Sequence, residues 1–451
     1  MKTNSQKQQK TETIIEKQLK RIHINKIARQ SGFYKRAPRK IKAKNLLISF
    51  LMVMSVSKDN TYSLWANKLG LLINNTVSKQ AIAKRINKEL LVFLHDTLRT
   101  IMKKTVSVGV KEITSEKLKI FNRILIEDST AIRLDDRYAK AYPSSRRYGK
   151  EPGILKIQAV YEVLKKQFLN LEITSFREND QGYAGNILNI VKPGDLIIRD
   201  LGYFVLGILK KIAEKGAFFI SLAKKEVKVY ISREDEPIDL AAMLKKRGNL
   251  DMQVFLGQEE KAPARLIAIP VEPEVASARI RKARRKFNRG WRHRKDYYFL
   301  LGWNLLITNI TREQICSTEI CRIYSLRWRI EIIFKTWKSS LGIKKVPKDG
   351  NKIRLEAFIY CMLIFILLFQ VHYYNFYIKE ICRGKIPNKQ PQLSLLKFMN
   401  FLASNLDLFI DKIYYSSLCL NRLLKKQIIY NCLYELRADR VNFNQTLIGL
   451  S

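Results

Sequence analysis

The chain has 451 residues, 47% of them hydrophobic, and sets 83 Lys and Arg against 40 Asp and Glu, for a formal net charge of +43. That length exceeds what one hydrophobic core supports, so two to four domains are expected. A charge so far from zero points to a polyanionic partner, with nucleic acid ahead of a membrane surface or the ribosome because the cations are spread along the whole chain rather than gathered beside an anchor.

The first 42 residues are polar and basic, and read as a loosely ordered arm without the apolar core of a secretory signal. From Asn45 to about Leu118 the pattern is helical. Thr61 to Leu71 suits one helix, and Ser78 suits the cap of a second running through Lys79 to Arg85. A helix-turn-helix with Lys79 and Arg85 on DNA fits this spacing, as does a plain pair of adjacent helices.

The period then changes. Ile124-Leu-Ile126 and Leu196-Ile-Ile198 are short apolar runs typical of buried strands, and each is followed closely by an acid, Asp128 and Asp200. Between them, Ala159–Leu164 and Phe168–Thr174 read as strands around a tight Lys165-Lys166-Gln167 turn, and Gly182–Val191 as a crossover helix. A mixed α/β sheet follows from that order. After a helix over Val205–Lys215 and a strand over Phe218–Leu222, residues 227 to 310 turn strand-rich, with strands expected at Val229–Ile231, Gln253–Leu256, Arg265–Ile269 and Tyr298–Leu301. Within that stretch a dense basic run from Arg279 to Lys295 holds Phe287, Trp291 and Arg292, a mixture suited to a nucleic-acid groove and also to a solvated face.

Tyr324, Arg327, Glu331 and Lys338 fall at about 0, 300, 340 and 320° on a helix turning roughly 100° per residue, so one continuous helix would gather all four polar tips on a narrow face. Leu326, Ile330, Ile333, Phe334, Trp337 and Leu341 form an apolar arc beside it. Ala357–Phe369 is apolar throughout, but Gln370, His372 and Asn375 interrupt it short of a membrane span, which suggests a buried core helix. Further helices are expected from Leu393 onward. The four histidines form no cluster, and the six cysteines lack zinc-ribbon spacing and read as buried thiols in a reducing cytosol. Carboxylates are therefore left to carry the chemistry. Two strand-end aspartates and a helical glutamate are the parts of a two-metal phosphoryl-transfer site, since hard divalent cations prefer carboxylate oxygen and a pair of them can stabilise both the attacking and the leaving oxygen.

At these residues the sequence resembles the DDE transposases of bacterial insertion sequences, specifically insertion sequence family four. Their signature Tyr-x2-Arg-x3-Glu-x6-Lys is matched without a gap by Tyr324, Arg327, Glu331 and Lys338, and the two family aspartates by Asp128 in Ile-Glu-Asp-Ser-Thr and Asp200 in Ile-Arg-Asp-Leu-Gly-Tyr-Phe. Leu201 replaces the arginine often seen after the second acid. The likeness covers roughly residues 121 to 368.

The resemblance implies an α/β fold with a ribonuclease-H-like catalytic core interrupted by a β-strand-rich insertion, between helical N- and C-terminal regions. The expected division is a basic arm at 1–42, a helical DNA-binding domain at 43–118, the core at 119–226 and 309–378, the insertion at 227–308, and a helical C-terminal region at 379–451. The resemblance also implies catalysis by Asp128, Asp200 and Glu331 holding two Mg²⁺ ions, with Mn²⁺ as a substitute. Tyr324, Arg327 and Lys338 would grip phosphates, and Trp303 would stack on a flipped base, with Trp291 as its rival.

The expected activity is a nucleoid-associated, cytoplasmic enzyme that binds the terminal inverted repeats as a homodimer, cleaves the 3′ ends and joins them to target DNA. A non-catalytic DNA-binding relic, or a nuclease that cuts without joining, is the alternative.

Overall fold

The computed structural model describes residues 19–36, 38, 40–56, 61–104, 116–144, 152–287, 295–339, 341, 343, 346–368, 374, 377, 393–405 and 418–433. Its centre is a nine-stranded mixed sheet in the order β3-β2-β1-β4-β5-β9-β8-β7-β6. The strands are β1 (Arg123–Arg133), β2 (Ile154–Glu162), β3 (Gln167–Ser175), β4 (Asp195–Arg199), β5 (Phe218–Leu222), β6 (Val229–Tyr230), β7 (Leu250–Leu256), β8 (Ala262–Pro270) and β9 (Trp303–Thr308). β1 runs antiparallel to β2 and parallel to β4, β4 is parallel to β5, and every pairing from β5 through β9 to β6 is antiparallel.

The N-terminal helices are α1 (Ile24–Gln30), α2 (Ala43–Val56), α3 (Tyr62–Ile73), α4 (Lys79–Ala83) and α5 (Lys88–Lys104). α5 shows why such segments are helical: Leu90, Phe93, Leu94, Thr97, Leu98, Ile101 and Met102 recur at three- and four-residue intervals and are all buried. The Asn87 side chain caps it, accepting from the Leu90 amide at 2.9 Å. Thr61 and Ser78 cap α3 and α4 in the same way, Ser78 as its sequence position suggested. However, α4 has only five residues, and Arg85 lies beyond it with Nη1 donating back to the Ala81 carbonyl at 2.7 Å. Lys79 is exposed.

Further along come α6 (Asp180–Tyr183), α7 (Leu206–Glu214), α8 (Leu240–Arg247), α9 (Pro273–Phe287), α10 (Lys295–Leu300), α11 (Ser317–Ser325), α12 (Trp328–Ser339), α13 (Lys352–Ile366), α14 (Leu395–Ser404) and α15 (Leu418–Cys432). The sheet has an apolar layer on each face. On one, Ile124, Ile126, Leu196 and Ile198 pack with Ile330, Ile333, Phe334 and Trp337 of α12 and with the buried residues of α13. On the other, Leu125 and Ile197 pack with Leu206, Leu209 and Ile212 of α7 and with Leu240 and Leu244 of α8. Adjacent strand residues thus point to opposite layers, as the two-residue period requires. α13 also packs against α5 and α2, so the N-terminal helices share its core. No helix among the described residues is long and apolar enough to cross a membrane.

Several expectations need correction. Leu19, Ile22, Ile24, Ile27 and Ala28 are buried, so packed structure begins inside the segment read as a loose arm, and residues 1–18 lie outside the described residues. Gly182–Val191 holds no α-helical crossover; the single turn α6 runs into a 3-10 segment, Ala184–Asn189. Tyr298–Leu301 is not a strand, because Tyr298 to Leu300 belong to α10. The strand-rich segment is not set apart from the core sheet either: β9 pairs with β5 on one side and β8 on the other, so β6, β7 and β8 prolong the same sheet. Cys361 and Cys432 are buried and Cys321 half-buried, but Cys316 is exposed.

Candidate active site

Asp128 lies within β1 rather than at its end, opposite Ala159 of β2. It shares strand parity with Ile124 and Ile126, which turns its carboxylate toward the layer that α12 covers. Asp200 follows the last residue of β4 and heads a 3-10 turn over Leu201–Tyr203. The parallel register pairs Glu127 with Arg199, so the two aspartates are the next residues along neighbouring strands. Glu331 stands in the first turn of α12.

The expected continuous helix is broken. α11 ends at Ser325 and α12 starts at Trp328. Across the junction the amides of Leu326, Arg327, Arg329 and Ile330 bond three residues back, to Ile323, Tyr324, Leu326 and Arg327, which tightens the winding locally. Tyr324 and Glu331 therefore come from two helices, with Arg327 in the turn between them.

Arg327 organises the site. Its Nη1 lies 2.5 Å from Glu331 Oε1 and 3.5 Å from Asp128 Oδ2. Two carboxylate oxygens sharing one nitrogen cannot be further apart than those two legs together, so Asp128 and Glu331 are brought close from separate elements. Burial would lower the Arg327 pKa, but Tyr324, Asp200, Glu331 and Asp128 together hold it above its ordinary value. Burial pushes Asp128 up to about 7; the Ser129 amide, 2.7 Å from Oδ1, and Arg327 oppose this, while Asp200 and Glu331 add to it. Asp128 thus lies close enough to both other acids to feel their charge. Among the described residues, however, no three Asp, Glu, His or Cys side chains are grouped as a ready metal cage.

The Tyr324 ring lies 5.7 Å from the Arg327 guanidinium. Its hydroxyl is buried, and the Arg327 guanidinium beside it is the polar group that favours its ionised form. Burial, the first cause, raises its pKa well above the phenol range. Lys338 is half-buried, seven residues and so about two turns beyond Glu331 on α12.

The other sequence candidates are not gathered here. Trp303 opens β9, packs against the second apolar layer, and its ring lies tilted 6.1 Å from that of Phe299. Trp291 and Arg292 lie outside the described residues. Two features escaped the sequence reading. Trp328, beside Arg327 in the motif itself, is 61% exposed and lies 5.7 Å from the guanidinium; its place in the motif was the available signal. Lys225 and Arg279 meet at the start of β9, where Lys225 Nζ donates to the Trp303 carbonyl at 2.5 Å and Arg279 Nη2 to Asn304 Oδ1 at 2.8 Å. Burial first, and Arg279 second, push Lys225 down to about 7, and Tyr324 is close enough to influence Arg279. No sequence spacing announces that cluster.

The comparisons with known proteins converge on one family. The family model described as "Transposase DDE domain" matches residues 119–366. The chain is similar to the transposase for insertion sequence element IS231E of Bacillus thuringiensis subsp. finitimus, 30% identical over 366 residues. It is likewise similar to the transposases for IS231B of Bacillus thuringiensis subsp. berliner, 28% identical over 365 residues, and for IS1151 of Clostridium perfringens, 30% identical over 372. Each alignment spans 76% of this chain and 76% of the relative.

Proposed function

Because the chain belongs to the DDE transposases of bacterial insertion sequences, we propose that it binds the terminal inverted repeats of its own element, pairs two ends as a homodimer, cleaves their 3′ ends, and joins them to target DNA at a site made by Asp128, Asp200 and Glu331. The observation that carries this reading is the convergence on Arg327: carboxylates from β1 and α12 reach one guanidinium nitrogen, with Asp200 beside them. The strand order β3-β2-β1-β4-β5, antiparallel on the β2 side and parallel on the β4 side, supports a ribonuclease-H-like core, and β6 to β9 extend it.

The donor chemistry fits Mg²⁺, with Mn²⁺ as a substitute. All three acids offer hard oxygen, and the buried Asp128 carboxylate needs a neighbouring cation to stay ionised. Asp128, Asp200 and Glu331 would hold the two ions, which supply stabilisation of the entering and leaving oxygens in phosphoryl transfer. In the protein alone Arg327 supplies the positive charge that Asp128 and Glu331 require. With DNA bound, its planar fork suits a phosphate, and Tyr324 and Lys338 add donors along the same face. Water is the first nucleophile and the freed 3′-hydroxyl the second, so no side chain need bond covalently to DNA.

Exposed Arg281, Lys282, Arg284 and Arg285 on α9, together with the +43 net charge, support DNA binding beyond the acids and a place at the nucleoid. Lys79 is exposed on α4, with Arg85 just after it, and both are assigned to DNA on the same argument. Purified protein mixed with labelled end DNA, a plasmid target and Mg²⁺ tests the proposal: joined products support it, nicks alone would leave a nuclease, and binding alone a relic.

A further inference from the structure

The apolar contacts between β1 and β4 do not define their register. Ile124, Leu125 and Ile126 face Leu196, Ile197 and Ile198, and a slip of two residues would still set one branched aliphatic against another. Two ion pairs on the opposite face from Asp128 do discriminate. Arg123 of β1 binds Asp195 of β4, Nη2 to Oδ2 at 2.5 Å, and four residues further on Glu127 of β1 binds Arg199 of β4, with Oε2 accepting from Nε at 2.6 Å. Each pair sits at its register position, Arg123 with Asp195 and Glu127 with Arg199, and the polarity is reversed between them. A four-residue slip would therefore oppose Glu127 to Asp195 or Arg123 to Arg199, like charge against like. A two-residue slip would leave the buried charges facing Leu125 and Ile197.

We propose that Glu127 and Arg199 are positioning residues, whose cross-strand ion pair pins the end of the β1–β4 register next to Asp128 and Asp200, while Arg123 and Asp195 pin its far end. Both side chains are almost wholly buried, and by strand parity they point away from the face that α12 covers, so neither meets substrate. Arg199 also donates to the Ala184 carbonyl at 2.5 Å and lies 5.6 Å from the centre of the Tyr203 ring, while the Tyr203 hydroxyl donates to Gln158 of β2. The clamp thus holds β1, β2, β4 and the turn just after Asp200. A two-residue slip would carry Asp200 about 6.6 Å along Asp128, far beyond the roughly 0.5 Å that a working constellation tolerates. Buried ion pairs add little net stability over apolar substitutes, and register is their best-attested use.

This inference rests on the reading of Asp128 and Asp200 as metal-binding partners, and its test measures metal binding directly. Full-length E127M/R199M is compared with wild type for Mn²⁺ binding, followed by the electron paramagnetic resonance of free Mn²⁺, and for end-DNA binding and thermal midpoint. The expected result is Mn²⁺ binding weaker by about 10–100-fold with end-DNA affinity within about threefold. R123M/D195M, which removes the pair remote from Asp128, should leave Mn²⁺ affinity within about threefold. Should E127M/R199M fail to fold, the isosteric E127Q takes its place, with a tenfold or greater weakening expected. Mn²⁺ affinity within about threefold of wild type in the folded near-pair variant overturns the proposal, as does an equal loss from the remote pair. Wild-type protein that binds Mn²⁺ but cleaves no DNA would sink the transposase chemistry alone; wild type that binds none would remove the site and this inference with it.

Discussion

Arg327, in the turn between α11 and α12, is joined at 2.5 Å to Glu331 in the first turn of α12, and the same guanidinium nitrogen also reaches Asp128 in the central sheet. A cation from the motif thus holds two acids together in the protein alone, where their mutual repulsion would otherwise drive them apart.

Replacing Arg327 should therefore affect stability and chemistry differently. R327M leaves Asp128, only 16% exposed, without its cation, and stability should fall by about 2 kcal/mol in EDTA. Added Mg²⁺ should recover much of that loss, as binding to the native state alone stabilises it. End cleavage should drop about a hundredfold. Denaturant melts with and without Mg²⁺, beside single-turnover cleavage, check all three; a stability loss indifferent to Mg²⁺ would count against the account.

The turn into β4 depends on Gly194. Its φ of +77° lies in the left-handed region, and a Cβ there would come 2.3 Å from Asn122 Nδ2, whose amide group donates to the Pro193 carbonyl. G194A should cost about 1–3 kcal/mol, read as a lowered urea midpoint with an unchanged slope.

Lys225 gives a pH dependence of defined sign. Its folded pKa, pushed down to about 7 by burial first and Arg279 second, lies below the unfolded value near 10.5. Between those values the unfolded chain holds the extra proton, so this residue's contribution makes stability rise with pH from about 7 to 10.5 and stay flat below. K225M should remove that slope and raise stability at pH 6 by on the order of 2 kcal/mol. Melts of both proteins at pH 6, 8 and 10 decide it; parallel curves would show that Lys225 is not buried as described.

The basic face of α9 is predicted to touch phosphate. R281A/R284A/R285A removes three exposed cations. It should leave the thermal midpoint unchanged and flatten the dependence of end-DNA affinity on salt by roughly one unit of slope per lost contact. An unchanged slope would place the DNA elsewhere.

Much of the candidate site was legible because the spacing that defines it is local in sequence. Tyr324, Arg327, Glu331 and Lys338 keep a fixed spacing, and Asp128 and Asp200 follow apolar runs that became β1 and β4. The break between Ser325 and Trp328 was not legible, since no glycine or proline marks it and its cause is the tighter hydrogen bonding of the junction. Tyr298–Leu301 misled because a four-residue apolar run cannot tell strand from buried helix by periodicity. The pairing of β9 with β5, and the layer on which Trp303 packs, depend on contacts between residues some 80 positions apart, which no local pattern encodes.

The most direct test is anomalous scattering from Mn²⁺ in crystals of the protein with its end DNA. The account predicts density bounded by the carboxylates of Asp128, Asp200 and Glu331, with Arg327 turned from the acids toward a phosphate. Mn²⁺ bound elsewhere, with Arg327 still joined to Asp128 and Glu331 while DNA lies in place, would contradict it.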